Sequence, residues 1–192
     1  EIKDKYLESE IFRIEGDLLL HKGNYSSAFA SYFKSKEIKE KEKDETGLIE
    51  INYSIAEALT RIGKHGSARS HLQSALTLNK EIGTEHHSTR IYNLLAINYL
   101  KEKNNNYANV YVAKALTASK KTNDDIEIAR AYLTMSSLNL SLGDNATAEA
   151  YLKRVNDIMG SSQLNLLRNE YRCQEAAQKL ASNDAYGTIA LT

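Results

Sequence analysis

The chain has no proline, no tryptophan and a single cysteine, and glycine occurs only nine times in 192 residues. With so few helix breakers and abundant Ala, Leu, Lys and Glu, long helices are favoured over a strand-and-turn fold. The lone thiol, Cys173, excludes an intrachain disulfide framework and a cysteine-rich zinc site. It fits the cytoplasm or the periplasm, with the cytoplasm favoured. Neither sign of charge is in surplus, since 25 Lys and Arg face 25 Asp and Glu. A phosphate-backbone binder needs a basic excess to displace counterions, so no nucleic-acid partner is expected. No apolar run approaches the roughly 20 residues that cross a bilayer, so membrane insertion is not expected. The first residues, Glu1-Ile2-Lys3-Asp4-Lys5, hold no signal-peptide core and no initiator Met, as in a processed chain or a piece of a longer one. What is present is a 42% hydrophobic share, too high for a disordered segment.

Those apolar residues recur every 40 positions. Ala28, Ala68, Ala108 and Ala148 form one column. Twelve residues earlier stand the small residues Gly16, Ala56, Ala96 and Ser136, continued by Ala176. Another column reads Leu19, Leu59, Tyr99 and Asn139, the last breaking the apolar rule. Gly23, Gly63 and Gly143 form a glycine column that Lys103 interrupts. Downstream of the alanines come Tyr32, Leu72, Val112 and Leu152, then Ser35, Ala75, Ala115 and Val155, then Ile38, Leu78, Ala118 and Ile158. Upstream runs Ile11, Ile51, Ile91, Ala131 and Tyr171. Offsets of three and four lay these residues along helix faces. The glycine column ends the first helix of each unit as a left-handed residue would. Each repeat is therefore two helices and a tight turn, with small residues letting the backbones approach.

The order Gly16, Leu19, Gly23, Tyr25, Ala28, Tyr32, Ser35 resembles the tetratricopeptide repeat (TPR) motif, and the resemblance extends over nearly the whole chain. The usual TPR period is about 34 residues, so this is a long-period variant. The added apolar column at Ile38, Leu78, Ala118 and Ile158 places the extra length in the second helix. The family's Trp and its terminal Pro are missing. The resemblance implies an all-α fold: an α-α superhelix of four helix-turn-helix repeats plus a partial fifth repeat or capping helix.

Repeats are expected near residues 8–44, 46–83, 86–122 and 125–160, with the cap or partial repeat at 162–192, all in one solenoid domain. Helices fall near 3–21, 24–42, 46–62, 65–81, 86–102, 105–121, 125–142 and 145–159. Linkers are read at Asp44-Glu45-Thr46-Gly47, Gly83-Thr84, Thr122 to Asp125 and Gly160-Ser161-Ser162, with Thr84, Asp124 and Ser162 as N-caps. A ninth helix runs from Ser162 to about Leu180, and Asn183 to Tyr186 reads as a turn into a tenth. The apolar end Ile189-Ala190-Leu191 is not the polar cap that a solenoid needs, so continuation of the chain or self-association through this end is expected.

In TPR proteins the first helix of each pair lines a concave groove, so the resemblance implies groove positions by register. They are Arg13, Asp17 and His21; Tyr53, Glu57 and Arg61; Arg90, Asn93, Ile97 and Lys101; Arg130, Leu133 and Ser137. Arg90 and Arg130 share one column and suit a carboxylate, and Asn93 suits a peptide backbone. The alternative reading is a solvated polar helix face. The family's clamp for chaperone tails opens on Lys and Asn. Asp17 would repel a carboxylate, so that ligand is not expected.

Other chemistry does not assemble. His86-His87 are adjacent, point apart on a helix and read as a linker rather than a metal site. Cys173 has no histidine in its helix and reads as a buried structural thiol. No P-loop, GxGxxG, HExxH or GxSxG is present, so neither an enzyme nor a cofactor is expected. Tyr32, Tyr92, Tyr99 and Tyr132 fall on packing columns rather than a base-stacking platform. The expected function is binding of a protein or peptide through the groove. The alternatives are a sensory or regulatory segment of a larger bacterial signalling or transcription-regulating protein, and a self-association scaffold.

Overall fold

A computed structural model describes residues 2–83, 86–162 and 167–189. Nine helices and no strands occur among them: α1 (Ile2–His21), α2 (Tyr25–Glu42), α3 (Glu45–Arg61), α4 (His65–Ile82), α5 (His86–Lys101), α6 (Asn105–Thr122), α7 (Asp125–Ser141), α8 (Asn145–Ser162) and α9 (Arg168–Ile189). They form two compact units, Glu1–Leu94 and Leu95–Thr192. In the first, α1 packs on α2, α2 on α3 and α3 on α4. In the second, α6 packs on α7, α7 on α8, and α9 on both α7 and α8.

The forty-residue columns are the core. Ala28, Ala68, Ala108 and Ala148 are all buried, as are Tyr32, Leu72, Val112 and Leu152 below them. The small column faces the second helix of its own repeat. A Cβ on Gly16 would stand 2.5 Å from the Tyr32 ring, and the Ser136 hydroxyl donates to the Ala148 carbonyl at 3.0 Å. Such distances require small residues, because a closed core cannot absorb extra volume.

The turn inside each repeat is built the same way four times. Gly23, Gly63, Lys103 and Gly143 all have positive φ. Lys103 therefore takes the glycine conformation despite its side chain. The following amide reaches back to the last turn: Asn24 N to Leu19 O, Lys64 N to Leu59 O, Asn104 N to Tyr99 O and Asp144 N to Asn139 O, each 2.9 Å. These bonds satisfy carbonyls that a helix end leaves open. The Asn24, Asn104 and Asp144 side chains then cap the second helix by accepting from the amides of Ser27, Tyr107 and Thr147. Lys64 stands in the same place and makes no side-chain cap.

A second left-handed column joins successive repeats at Lys43, Gly83 and Asn123. Sequence reasoning missed it because only one member is glycine. Asp44 and Asp124 follow as N-caps, accepting from Gly47 N and Glu127 N. Thr84 lies outside the described residues. Three expectations are corrected. Gly160-Ser161-Ser162 is the last turn of α8 rather than a linker, so Ser162 does not cap the next helix, which starts at Arg168. The turn expected at 183–186 does not form, and α9 runs unbroken to Ile189. No proline stands there to interrupt it. Its side chains beyond Ser182, and residues 190–192, lie outside the described residues. His86 and His87 open α5 rather than sit in a linker.

Two substitutions test the turn chemistry. Lys64→Asp supplies the missing cap and should raise stability by about 1 kcal/mol. Gly63→Ala forces a Cβ into the left-handed region and should lower it by about 1 kcal/mol. Urea midpoints measured side by side should move in opposite directions.

Candidate functional site

In the first unit, three of the expected groove residues converge. Arg13 of α1, Tyr53 of α3 and Arg90 of α5 line one cavity of about 140 Å³, with Ile49, Glu50, Ser54, His87 and Ile91. The 3.6-residue period puts Glu50, Tyr53 and Ser54 on one stretch of α3, and His87, Arg90 and Ile91 on one stretch of α5. Tyr53 is half-buried and Arg90 exposed, and the Arg90 guanidinium lies 4.4 Å from the centre of the Tyr53 ring. A guanidinium stacked on an aromatic face keeps its N–H edges available to a planar acceptor. Among the described residues, no carboxylate lies in ion-pair range of Arg90.

Arg13 is committed differently. Its Nε and Nη2 donate to Glu10 at 3.0 and 2.9 Å, and its Nη1 donates to Asp17 at 3.0 Å. Burial alone would depress Arg13, but Glu10, Asp17 and Glu50 outweigh it and hold its pKa above the usual arginine value. Asp17 is held from the other side by the Tyr32 hydroxyl, which donates at 2.7 Å. Burial and then that bond push the Tyr32 pKa up. Glu10 also accepts from Lys39 Nζ at 2.6 Å, and Lys39, only 1% exposed, has Asp44 at 3.5 Å on its other side. Burial works to raise Glu10, but Lys39 and Arg13 hold its carboxyl below the usual range. The wall beside the cavity is thus a charge network anchored to the α2 core.

Glu10, Glu50 and His87 were not among the expected residues. Glu10 and Glu50 occupy the same forty-residue column as Arg90 and Arg130, so the register already contained them. His87 is the counterpart of Gly47, a column first read as linker.

The remaining expected residues stand apart from this cavity. Glu57 and Arg61 pair with each other at 2.8 Å on the exposed part of α3, and His21 is exposed at the end of α1. Asn93 is buried, and its Oδ1 has no hydrogen-bond partner among the described residues. In the second unit, Lys101 is exposed, Ile97 is half-buried, and Leu133 is buried. Arg130 has Glu127 3.8 Å away, and Ser137 donates to the Leu133 carbonyl. Cys173 is exposed rather than buried. It falls in the column of Arg13, Tyr53, Asn93 and Leu133, whose first two members also keep partial exposure. Tyr32 and Tyr132 are buried as packing residues, while Tyr99 is half-buried and stacks on Tyr107 and Tyr111. No group of three or more metal-ligating side chains occurs among the described residues, and no described helix is long and apolar enough to cross a membrane.

This architecture recurs in solved structures. A Rap protein complexed with competence and sporulation factor superposes with a TM-score of 0.77 at 20% identity, over 92% of this chain and 52% of the Rap chain. A STAND signal-transduction ATPase with a tetratricopeptide repeat sensor, from Pyrococcus horikoshii, gives 0.71 at 18% identity, over 90% of this chain and 26% of the other. BtubC from P. vanneervenii gives 0.70 at 18% identity, over 98% of this chain and 91% of that one. The fold is a TPR-type helical repeat. No protein-family model and no curated protein sequence matches the chain. The chain spans about half of the Rap protein and about a quarter of the STAND protein.

Glu10 generates a pH prediction. A carboxyl whose pKa is lowered on folding stabilises the fold above its unfolded pKa, and that stability is lost as pH falls through the folded value. The wild-type thermal midpoint should therefore drop steeply between about pH 5 and about pH 3. Glu10→Gln should lower the midpoint at neutral pH, by about 3 kcal/mol in stability because Lys39 loses its nearest partner. Its midpoint should also fall less over the acid range. Parallel slopes for the two proteins would show that Glu10 carries no such linkage.

Proposed function

We propose that this TPR chain binds a protein or peptide through the face of α1, α3 and α5 in its first unit. The observation that carries the proposal is the Arg90 guanidinium laid on the Tyr53 ring, both in the lining of one cavity. Arg13, compensated by Glu10 and Asp17, is a fixed wall of that cavity, whereas Arg90 is the group positioned to receive an acceptor. The ligand group that fits is a carboxylate, from an acidic side chain or a chain end. Glu50 lines the same cavity and opposes a second acid there. The likeness to a Rap protein solved with competence and sporulation factor supports a ligand-binding role for this architecture. Arg130, Ser137 and Lys101 are proposed as recognition residues of the second unit's own face.

A second reading is favoured by the same comparison. The similar Rap and STAND chains are longer than this one, and the STAND protein is described as carrying its repeats as a sensor. Binding at the Arg90–Tyr53 site would then be the input of a regulatory protein rather than the purpose of an adaptor.

Peptides selected from a random library against the wild-type chain provide the test. Their affinity should fall at least about tenfold for Arg90→Ala and for Tyr53→Ala, because a stacked, bidentate contact is worth more than about 1.4 kcal/mol. Added salt should weaken binding in the wild type more than in Arg90→Ala. Selected peptides that bind all three proteins equally would place recognition elsewhere.

A further inference from the structure

One strip of α2 departs from the repeat register. Tyr25, Phe29 and Phe33 stand four residues apart along the helix. Tyr25 and Phe33 are 40% and 52% exposed, Phe29 is half-buried, and the Phe29 and Phe33 rings stack at 6.4 Å. Their counterparts are His65, Arg69 and Gln73 on α4, Asn105, Asn109 and Ala113 on α6, and Asn145, Glu149 and Lys153 on α8. Three repeats thus fold with polar or small residues at these places, so repeat packing asks for no aromatic ring there.

The strip looks onto α4. α2 packs on α3 and α3 on α4, while α2 and α4 do not pack closely on each other, so both walls of the cleft between them belong to this chain. Burial, and then the charge of Lys36, lower the pKa of His71 on α4, which keeps that ring neutral at pH 7. Lys36 lies three residues beyond Phe33 on the same side of α2, so its influence sets that side next to His71. The imidazole is held from α3. Asn52, buried there, donates its amide hydrogens to the Leu48 carbonyl at 2.7 Å and so turns its Oδ1 to His71 Nδ1, 2.9 Å away. Nδ1 is then the protonated nitrogen, and Nε2 carries the lone pair. His71 Nε2 has no hydrogen-bond partner among the described residues, and it is not sealed in the core.

We infer that the cleft between α2 and α4 binds a tryptophan side chain of a partner protein, its indole against Phe29 and Phe33 and its N–H donated to His71 Nε2. The chemistry of the walls selects this occupant. Nε2 can only accept, so a carboxylate or carbonyl tip finds no donor in it. Lys36 has only Glu40, 3.7 Å away on its own helix, and its charge opposes an ammonium or guanidinium tip. What remains is a flat, uncharged group with a donor at its edge. Tyrosine donates too, but its oxygen is also an acceptor, whereas indole donates only and offers the larger apolar area to the phenylalanines. The 192 residues contain no tryptophan, so a second copy of them does not supply the occupant. The site is separate from the Arg90–Tyr53 cavity, which α1, α3 and α5 line.

N-acetyl-tryptophanamide is the probe, and its fluorescence is read cleanly because the chain has no tryptophan of its own. Titration with the protein should move its emission to the blue as the indole leaves water. The analogue methylated on the indole nitrogen should bind about fivefold more weakly, since the hydrogen bond to His71 is lost. Phe33→Ser, a change at an exposed site that spares the core, should weaken both probes about tenfold. In His71→Phe, with helicity checked by circular dichroism, the two probes should bind alike. An unshifted emission at millimolar protein would overturn the inference. So would equal affinity of the two probes for the wild type, undiminished binding by Phe33→Ser, or tighter binding of N-acetyl-tyrosinamide, which would make tyrosine the occupant.

Discussion

The structure depends on how closely the two helices of each repeat approach. At Gly16 the distance leaves no room for a Cβ against the Tyr32 ring, and at Ser136 it is short enough for a direct hydrogen bond to the Ala148 carbonyl. The buried alanine column opposite is the other half of the same constraint. Because two helices 17 or 18 residues long can meet this closely only at one crossing, the small residues fix where along each helix the contact falls. Once that point is set, the turn length and the next repeat's starting position follow. The forty-residue register is the sequence trace of that geometry.

Turn chemistry then holds the register against slippage. Left-handed residues reverse the chain, one inside each of the four repeats and one after each of the first three. The first was legible because glycine fills it at three of four places. The second was not, because Lys43 and Asn123 occupy it and neither advertises a positive φ. Asn tolerates that conformation through local hydrogen bonding, but Lys43 and Lys103 hold it only because the flanking helices leave no other path. Core columns and helix count were readable because both follow from apolar spacing. The end of α8 and the length of α9 were not. Gly160 and Ser161-Ser162 resemble punctuation, yet a Gly costs a helix only about 1 kcal/mol relative to Ala, and here it falls in the last turn of α8.

The cavity was legible in part and for an instructive reason. Arg13, Tyr53 and Arg90 came from the repeat frame, but the frame was applied unevenly. The column that holds Arg90 and Arg130 was not followed back to Glu10 and Glu50. Those two glutamates decide the electrostatics. Glu10 takes up Arg13 and, through Lys39, ties the cavity wall to the core, while Glu50 lends a charge that Arg13 also feels. A list of arginines read without their column partners overstates the positive charge of the site. Cys173 is exposed where its residue type alone indicated burial.

One column shows how a repeat trades uniformity for local specificity. Lys39, Asn79 and Ser119 stand forty residues apart, and all are buried near the junction to the next repeat. Each solves the same problem with different chemistry: Lys39 with Glu10 and Asp44, Asn79 with the Ser88 hydroxyl, Ser119 with the Leu116 carbonyl. An apolar residue at any of these places would fill the volume equally well. Polar groups with named partners tolerate only one pairing, because a shifted register would strand them in a dry interior. Ser119 bonds within its own helix, but the first two junctions are specified by unlike contacts, Lys39 with Asp44 and Asn79 with Ser88, so the repeats, though alike in their cores, are not interchangeable in order. A chain of identical junctions would bury as much surface and yet accept a helix pair in the wrong place.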